Sequence, residues 1–158
     1  MTGLAIVTGG SRGIGAAICL ELAKRRFDIC INYRVDEAAA MAVKTQVEAY
    51  GMKAMTVRAD VASEVDYAAS KGAVDTLTKG LSLEVARDGI RVNGVRPGFI
   101  YTDMHADGGE PGRVHRLAPQ IRLGRGGTVE EVASAVGWLV SDEASYVTGT
   151  FIDVAGGR

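Results

Sequence analysis

An α/β fold is what this sequence predicts: a doubly wound parallel sheet with helices on both faces, three layers deep. Three observations carry that expectation. Short unbroken apolar runs such as Leu4-Ala5-Ile6-Val7 suit strands buried on both faces. Stretches with apolar residues four apart separate these runs and suit crossover helices. Glycine accounts for 21 of the 158 residues and gathers at helix starts and strand ends, where backbone freedom is needed.

The elements follow in order. After Leu4-Ala5-Ile6-Val7, glycine punctuation runs through Gly15. A helical pattern then continues to about residue 26, with Ile14, Ile18 and Leu22 four apart. Ile29-Cys30-Ile31-Asn32-Tyr33 is a second buried strand. A helix over residues 37–50 is apolar at Ala39, Val43, Val47 and Tyr50, and Gly51 is its stop. A third strand over 54–58 leads to Asp60-Val61. This alternation is one mononucleotide-binding half of a doubly wound sheet. Beyond it the rhythm breaks. A helix over 67–87 carries Val74, Leu77, Leu81 and Val85 on one face. Ile90-Arg91-Val92-Asn93-Gly94-Val95 is a strand ended by Pro97-Gly98, and residues 103–127 have the weak periodicity of a mobile loop or lid. Thr128-Val129-Glu130-Glu131 is a capping box opening a helix to about residue 140. Residues 150–154 form a last strand. One domain over 1–158 is expected, without internal repeats.

Composition narrows the function classes. Apolar residues make up 47% and charged residues 23%, which excludes disordered, collagen-like and coiled-coil chains. The 18 basic and 19 acidic side chains nearly cancel, so neither a nucleic-acid surface nor a polybasic membrane patch is expected. Cys19 and Cys30 are too few for a disulfide framework and suit core positions in a reducing compartment. No signal sequence or membrane span is expected, so the cytoplasm is the expected location.

Thr8-Gly9-Gly10-Ser11-Arg12-Gly13-Ile14-Gly15 lies between the first strand and the first helix. Glycines there permit a tight turn and close approach of a pyrophosphate, and the helix N-terminus offers free N–H groups with a positive dipole end. The bland alternative is a plain tight turn. No Gly-Lys-Ser/Thr follows, so a phosphate-hydrolysing loop is not expected. The second strand ends Asn32-Tyr33-Arg34, without the acid that would accept a ribose 2′-hydroxyl. Arg12 and Arg34 suit a 2′-phosphate and favour NADP over NAD. Alternatively Arg34 is solvated and Asp36 swings in to hold NAD.

Tyr67 and Lys71 stand four apart, on one helix face. A free phenol, with a pKa of about 10, is a poor base, but a neighbouring cation stabilises the phenolate. Alone the pair reads as a half-buried Tyr beside a solvated Lys. Its company changes that. The pattern Thr8-Gly9-x-x-x-Gly13-x-Gly15, then Asp60-Val61, Tyr67-x-x-x-Lys71, Asn93-Gly94-Val95-Arg96-Pro97-Gly98, Ile100-x-Thr102 and the closing residues 148–157 resemble the compact, single-domain branch of the short-chain dehydrogenase/reductase superfamily, end to end and in family order. The resemblance implies a Rossmann-type sheet and NAD(P)-dependent interconversion of an alcohol and a ketone or aldehyde. It implies Tyr67 as general acid/base and Lys71 as the group that lowers its pKa and holds the nicotinamide ribose. Gly9, Ser11, Arg12, Gly13, Ile14 and Gly15 would cradle the phosphates, with Arg34 at the ribose, and Asp60 and Val61 would flank the adenine. Pro97, Gly98, Ile100 and Thr102 would lie along the nicotinamide, and residues 103–121 would form the substrate lid. His105 and His115 fall in that lid, where a solvated position is favoured over a catalytic one. The family usually forms homodimers or homotetramers through the Tyr–Lys helix and the last helix and strand. The stripe Val74, Leu77, Leu81 and Val85 and the stretch around Trp138 are compatible with that or with core.

The sequence departs from the family at its centre. A fourth strand ending Asn-Asn-Ala-Gly, a helix with a catalytic Asn and a fifth strand with a catalytic Ser are all absent. About 60–90 residues are wanting near positions 62–66. In the strand order 3-2-1-4-5-6-7 this leaves 3-2-1 and 6-7 as separated pieces. Either a longer polypeptide carries the segment, or an internal deletion has left a catalytically inactive dinucleotide-binding or interaction protein.

Overall fold

The computed structural model describes residues 3–59, 67–103 and 109–157, with only the backbone over 67–73. β1 (Gly3–Val7), α1 (Gly13–Lys24), β2 (Phe27–Tyr33), α2 (Glu37–Ala49) and β3 (Ala54–Arg58) form the first half. β1 and β3 both pair in parallel with β2, Val7 opposite Ile31 and Tyr33 opposite Arg58. Right-handed crossovers put α1 and α2 on the same face of this sheet. There Val7, Cys19, Leu22, Ala23, Ile29, Ile31, Val43 and Val47 form a core.

The opposite face is open. Leu4 and Ile6 are each 71% exposed, and Met55 and Val57 are exposed beside them. The first apolar run, expected to be buried on both faces, is therefore buried on one. Both helices of this half serve the same face, and none of the described elements covers the other.

The second half comprises α3 (Tyr67–Val85), β4 (Gly94–Pro97), α4 (Arg113–Leu117), α5 (Val129–Leu139) and β5 (Phe151–Val154). β4 and β5 pair in parallel as a separate two-stranded sheet, apart from the β1-β2-β3 sheet. The parallel α/β architecture is as expected, and so is the division into two strand groups. The halves meet where α1 packs along α5. At Gly137 a Cβ would stand 2.6 Å from Arg25 Nε, so the helices touch through a residue without a side chain.

Two expectations for this half need correction, and one that was open is decided. The strand begins at Gly94, not at residue 90. Upstream, Val92 N–H donates to the Thr148 hydroxyl and Asn93 Nδ2 to Val147 O, so side chains share the pairing with the main-chain bond from Gly149 N–H to Val92 O. The stretch 103–127 is not simply a loop: it contains α4, and Val114 and Ile121 are buried. The α3 stripe is not core. Val74, Leu77 and Leu81 are exposed, and Thr78 and Ser82 form the buried face instead.

Candidate functional site

The site is assembled from strand ends. The loop after β1 is seated on the core, with Gly10 N–H donating to Asn32 O at 2.9 Å. Gly9 adopts a left-handed φ of +64°, with open space where a Cβ would stand. Any Cβ at Gly15 would lie 2.2 Å from the Gly9 carbonyl oxygen. Loop and first helical turn are thus pressed together in a way that only glycine permits. Arg12 is the N-cap of α1 and makes no side-chain cap bond. No acidic residue stands in the first turn of α1, so no carboxylate of that turn competes for its N–H groups. Gly13, Ile14 and Gly15 supply that turn, and Ser11 precedes it. A bare, positively polarised cradle of this kind fits a pyrophosphate.

The second half reaches this cradle through the segment after β4. Gly98 N–H donates to Val154 O at 3.0 Å, and Gly98 packs against Ala155. Ile100 is buried and bridges to Gly127. Thr102 then arrives at the first turn of α1, its Cβ 3.9 Å from where a Gly13 Cβ would be. Pro97, Gly98, Ile100 and Thr102 therefore run from the end of β4 to the glycine loop.

Arg34 follows β2 directly and is exposed. Its carbonyl accepts a hydrogen bond from Arg58 Nε at 3.2 Å. Two arginines consequently stand at adjacent strand ends. Arg58 was overlooked in the sequence, where its signal was the strand register that sets Tyr33 opposite Arg58. Asp36 caps α2, its carboxylate accepting the Ala39 N–H at 2.9 Å.

α3 begins at Tyr67 and includes Lys71, so both belong to one helix. Asp60, Val61 and His105 lie outside the described residues. His115 stacks obliquely on Tyr101, with ring centroids 4.9 Å apart. α3 is tied to the strand pair by Arg96, which contacts Asp75 on α3 at 2.6 Å and Asp153 on β5 at 3.7 Å and lies over the Phe151 ring. Among the described residues no cluster of metal-ligating side chains occurs, and no helix is long and apolar enough to cross a membrane.

A parallel sheet whose first strand leads through a glycine loop into a helix N-terminus belongs to the nucleotide-binding class of α/β proteins. Comparison with known proteins specifies the class. The family model for short chain dehydrogenase matches residues 3–66, and that for Enoyl-(Acyl carrier protein) reductase matches residues 63–158. The chain belongs to the short-chain dehydrogenase/reductase family of oxidoreductases, whose members typically use NAD(P). It is 38% identical to the uncharacterized oxidoreductase YgfF of Escherichia coli (strain K12) over 245 residues, covering 98% of this chain and 99% of that protein. Since this chain has only 158 residues, at least 87 of those positions have no counterpart in it (245 less 158). The two family models meet at residues 63–66, where the central segment was expected to be wanting. The chain is 49% identical to 4-formylbenzenesulfonate dehydrogenase TsaC1/TsaC2 of Comamonas testosteroni over 96 residues, 58% of this chain but 38% of that protein. Among solved structures it superposes on acetoin dehydrogenase YohF from Salmonella typhimurium with a TM-score of 0.86 at 26% identity, covering 99% of this chain and 97% of that one.

Proposed function

We propose that the chain is an NAD(P)-dependent oxidoreductase interconverting a small alcohol and its ketone or aldehyde, with NADP favoured. The observation that carries this is the meeting of Thr102 with the first turn of α1 at Gly13. It aligns the segment after β4 with the phosphate cradle, as a dinucleotide lying across both requires. Gly9, Ser11, Arg12, Gly13, Ile14 and Gly15 hold the phosphates. Arg34, aided by Arg58, faces the 2′-phosphate, and Asp60 and Val61 flank the adenine. Pro97, Gly98, Ile100 and Thr102 line the nicotinamide side. A bound nicotinamide supplies or accepts the hydride. Tyr67 gives its hydroxyl proton to the carbonyl oxygen in reduction and regains one in oxidation. The Lys71 ammonium lowers the phenol pKa and holds the nicotinamide ribose.

The domain is one nucleotide-binding unit over 1–158, interrupted near 62–66. Its setting is the cytoplasm, in keeping with two free cysteines, Cys19 and Cys30. The exposed stripe Val74, Leu77 and Leu81 suits a homodimer or homotetramer. A second reading, a nucleotide binder without turnover, is supported by the separation of the two sheets and the 87 or more unmatched positions.

NADPH titration, followed by turnover on a panel of small ketones and aldehydes, separates the two readings. In the active case Tyr67→Phe lowers kcat by about a hundredfold or more while NADPH affinity stays within about twofold. Unchanged turnover in that variant overturns the mechanism.

A further inference from the structure

Asn32, in the last turn of the pleat of β2, is a buried polar residue at 6% exposure. Its amide joins three segments. Nδ2 donates to Val57 O at 3.3 Å and to Ala59 O at 3.0 Å. Oδ1 accepts the Gly9 N–H at 3.4 Å. The main-chain carbonyl of Asn32 accepts from Gly10 N–H. The orientation of the side-chain amide follows from chemistry: two carbonyls on one side require the NH2 group, and an N–H on the other requires the oxygen.

We propose that Asn32 is a positioning residue for the adenosine half of the dinucleotide. It sets the glycine loop, which takes the pyrophosphate, at a defined distance from the ends of β2 and β3. Two residues beyond it stands Arg34, and directly after Ala59 come Asp60 and Val61, the residues assigned to the ribose phosphate and adenine. The inference rests on the nucleotide site proposed above but assigns a role to a side chain that would not touch the ligand. The bond to Ala59 is what makes this more than loop anchoring. A residue that only filled the space beneath the loop would have no donor directed at the far strand. An aliphatic side chain of similar size fills the same volume and abandons the Gly9 N–H and the two carbonyls together. Aspartate keeps the acceptor for Gly9 but turns an oxygen toward the carbonyls of Val57 and Ala59.

The test compares wild type, Asn32→Leu, Asn32→Asp and Val132→Ala. Val132 is a buried residue on α5 and serves to match a general loss of stability. Amide hydrogen exchange at Gly9, Gly10 and Ala59 is followed in nucleotide-free protein, and ADP-ribose affinity is measured by calorimetric titration. Asn32→Leu is expected to exchange faster at all three amides, Asn32→Asp faster at Ala59 but not at Gly9, and both to bind ADP-ribose about tenfold more weakly. Val132→Ala is expected to change neither. Should Asn32→Leu fail to fold, the isosteric Asn32→Asp carries the comparison. If wild type binds ADP-ribose and the Asn32 variants bind as tightly, or lose no more than Val132→Ala, the positioning role is overturned and the nucleotide site stands. If wild type binds neither ADP-ribose nor its 2′-phosphate, the nucleotide site falls and this role falls with it.

Discussion

The half built on β1, β2 and β3 and the half built on β4 and β5 are held together by different means. In the first, a continuous apolar core lies between three strands and two helices, with Ile29 and Ile31 almost fully buried at its centre. In the second, Ile100, Val114, Ile121, Val132 and Leu139 are buried outside that core, and two strands make only a small sheet to pack on. Polar side chains tie the backbone together there. The Arg91 guanidinium donates to Leu139 O, Ser141 O and Val147 O, and Asn93 bonds Val147 O and Thr150 N–H. Packing of α5 on α1 supplies much of the remaining burial. The outer strand group with both crossover helices keeps its own core, and the other leans on its neighbour.

The contrast can be broken by substitution. Ile31→Ala, at a fully buried position, should cost about 2–5 kcal/mol in urea unfolding. A loss below about 1 kcal/mol would mean that the first half is not the apolar-cored one. Arg91→Met removes three carbonyl partners while keeping much of the side-chain length, and should cost about 1–3 kcal/mol. A neutral outcome would show that the second half needs no such ties. The smallest effect is expected at Glu131. The Arg125 hydrogen bond and the Thr128 backbone bond hold its carboxyl near a pKa of about 2, against an ordinary 4.5. A depressed folded pKa stabilises above the unfolded value, and that contribution fades as pH falls from 4.5 through 2. Glu131→Gln should flatten that acid limb slightly, and melting temperatures between pH 5 and 2 measure it. Because the pair is at the surface, an effect comparable with that of Ile31→Ala would contradict this ranking.

Local chemistry was legible in the sequence wherever neighbours along the chain decide the outcome. The capping box at Thr128 forms reciprocally, Glu131 N–H donating to the Thr128 hydroxyl and Thr128 N–H to the Glu131 carboxylate. Gly51 follows the end of α2, and β3 runs over Ala54–Arg58 as expected. Of the candidate site, the cradle and the route from Pro97 to Thr102 could be located from motif order. Arg58 and Asn32 could not, because their partners lie 23 residues or more away along the chain. The late start of β4 was hidden for the same reason: Ile90 looks like a strand residue until the 147–150 segment is seen to hold Val92 and Asn93 largely by side-chain bonds.

Glycine spacing, cap residues and apolar periodicity were enough to specify most of the element order and the parallel class, since each depends on backbone sterics or on contacts a few residues apart, while the wanting centre followed from the family resemblance. Which face of β1 stays open, which side of α3 is buried and how β4 is brought to the first turn of α1 were settled only when distant segments met. Burial is a property of pairs of surfaces, and a linear pattern names just one member of each pair.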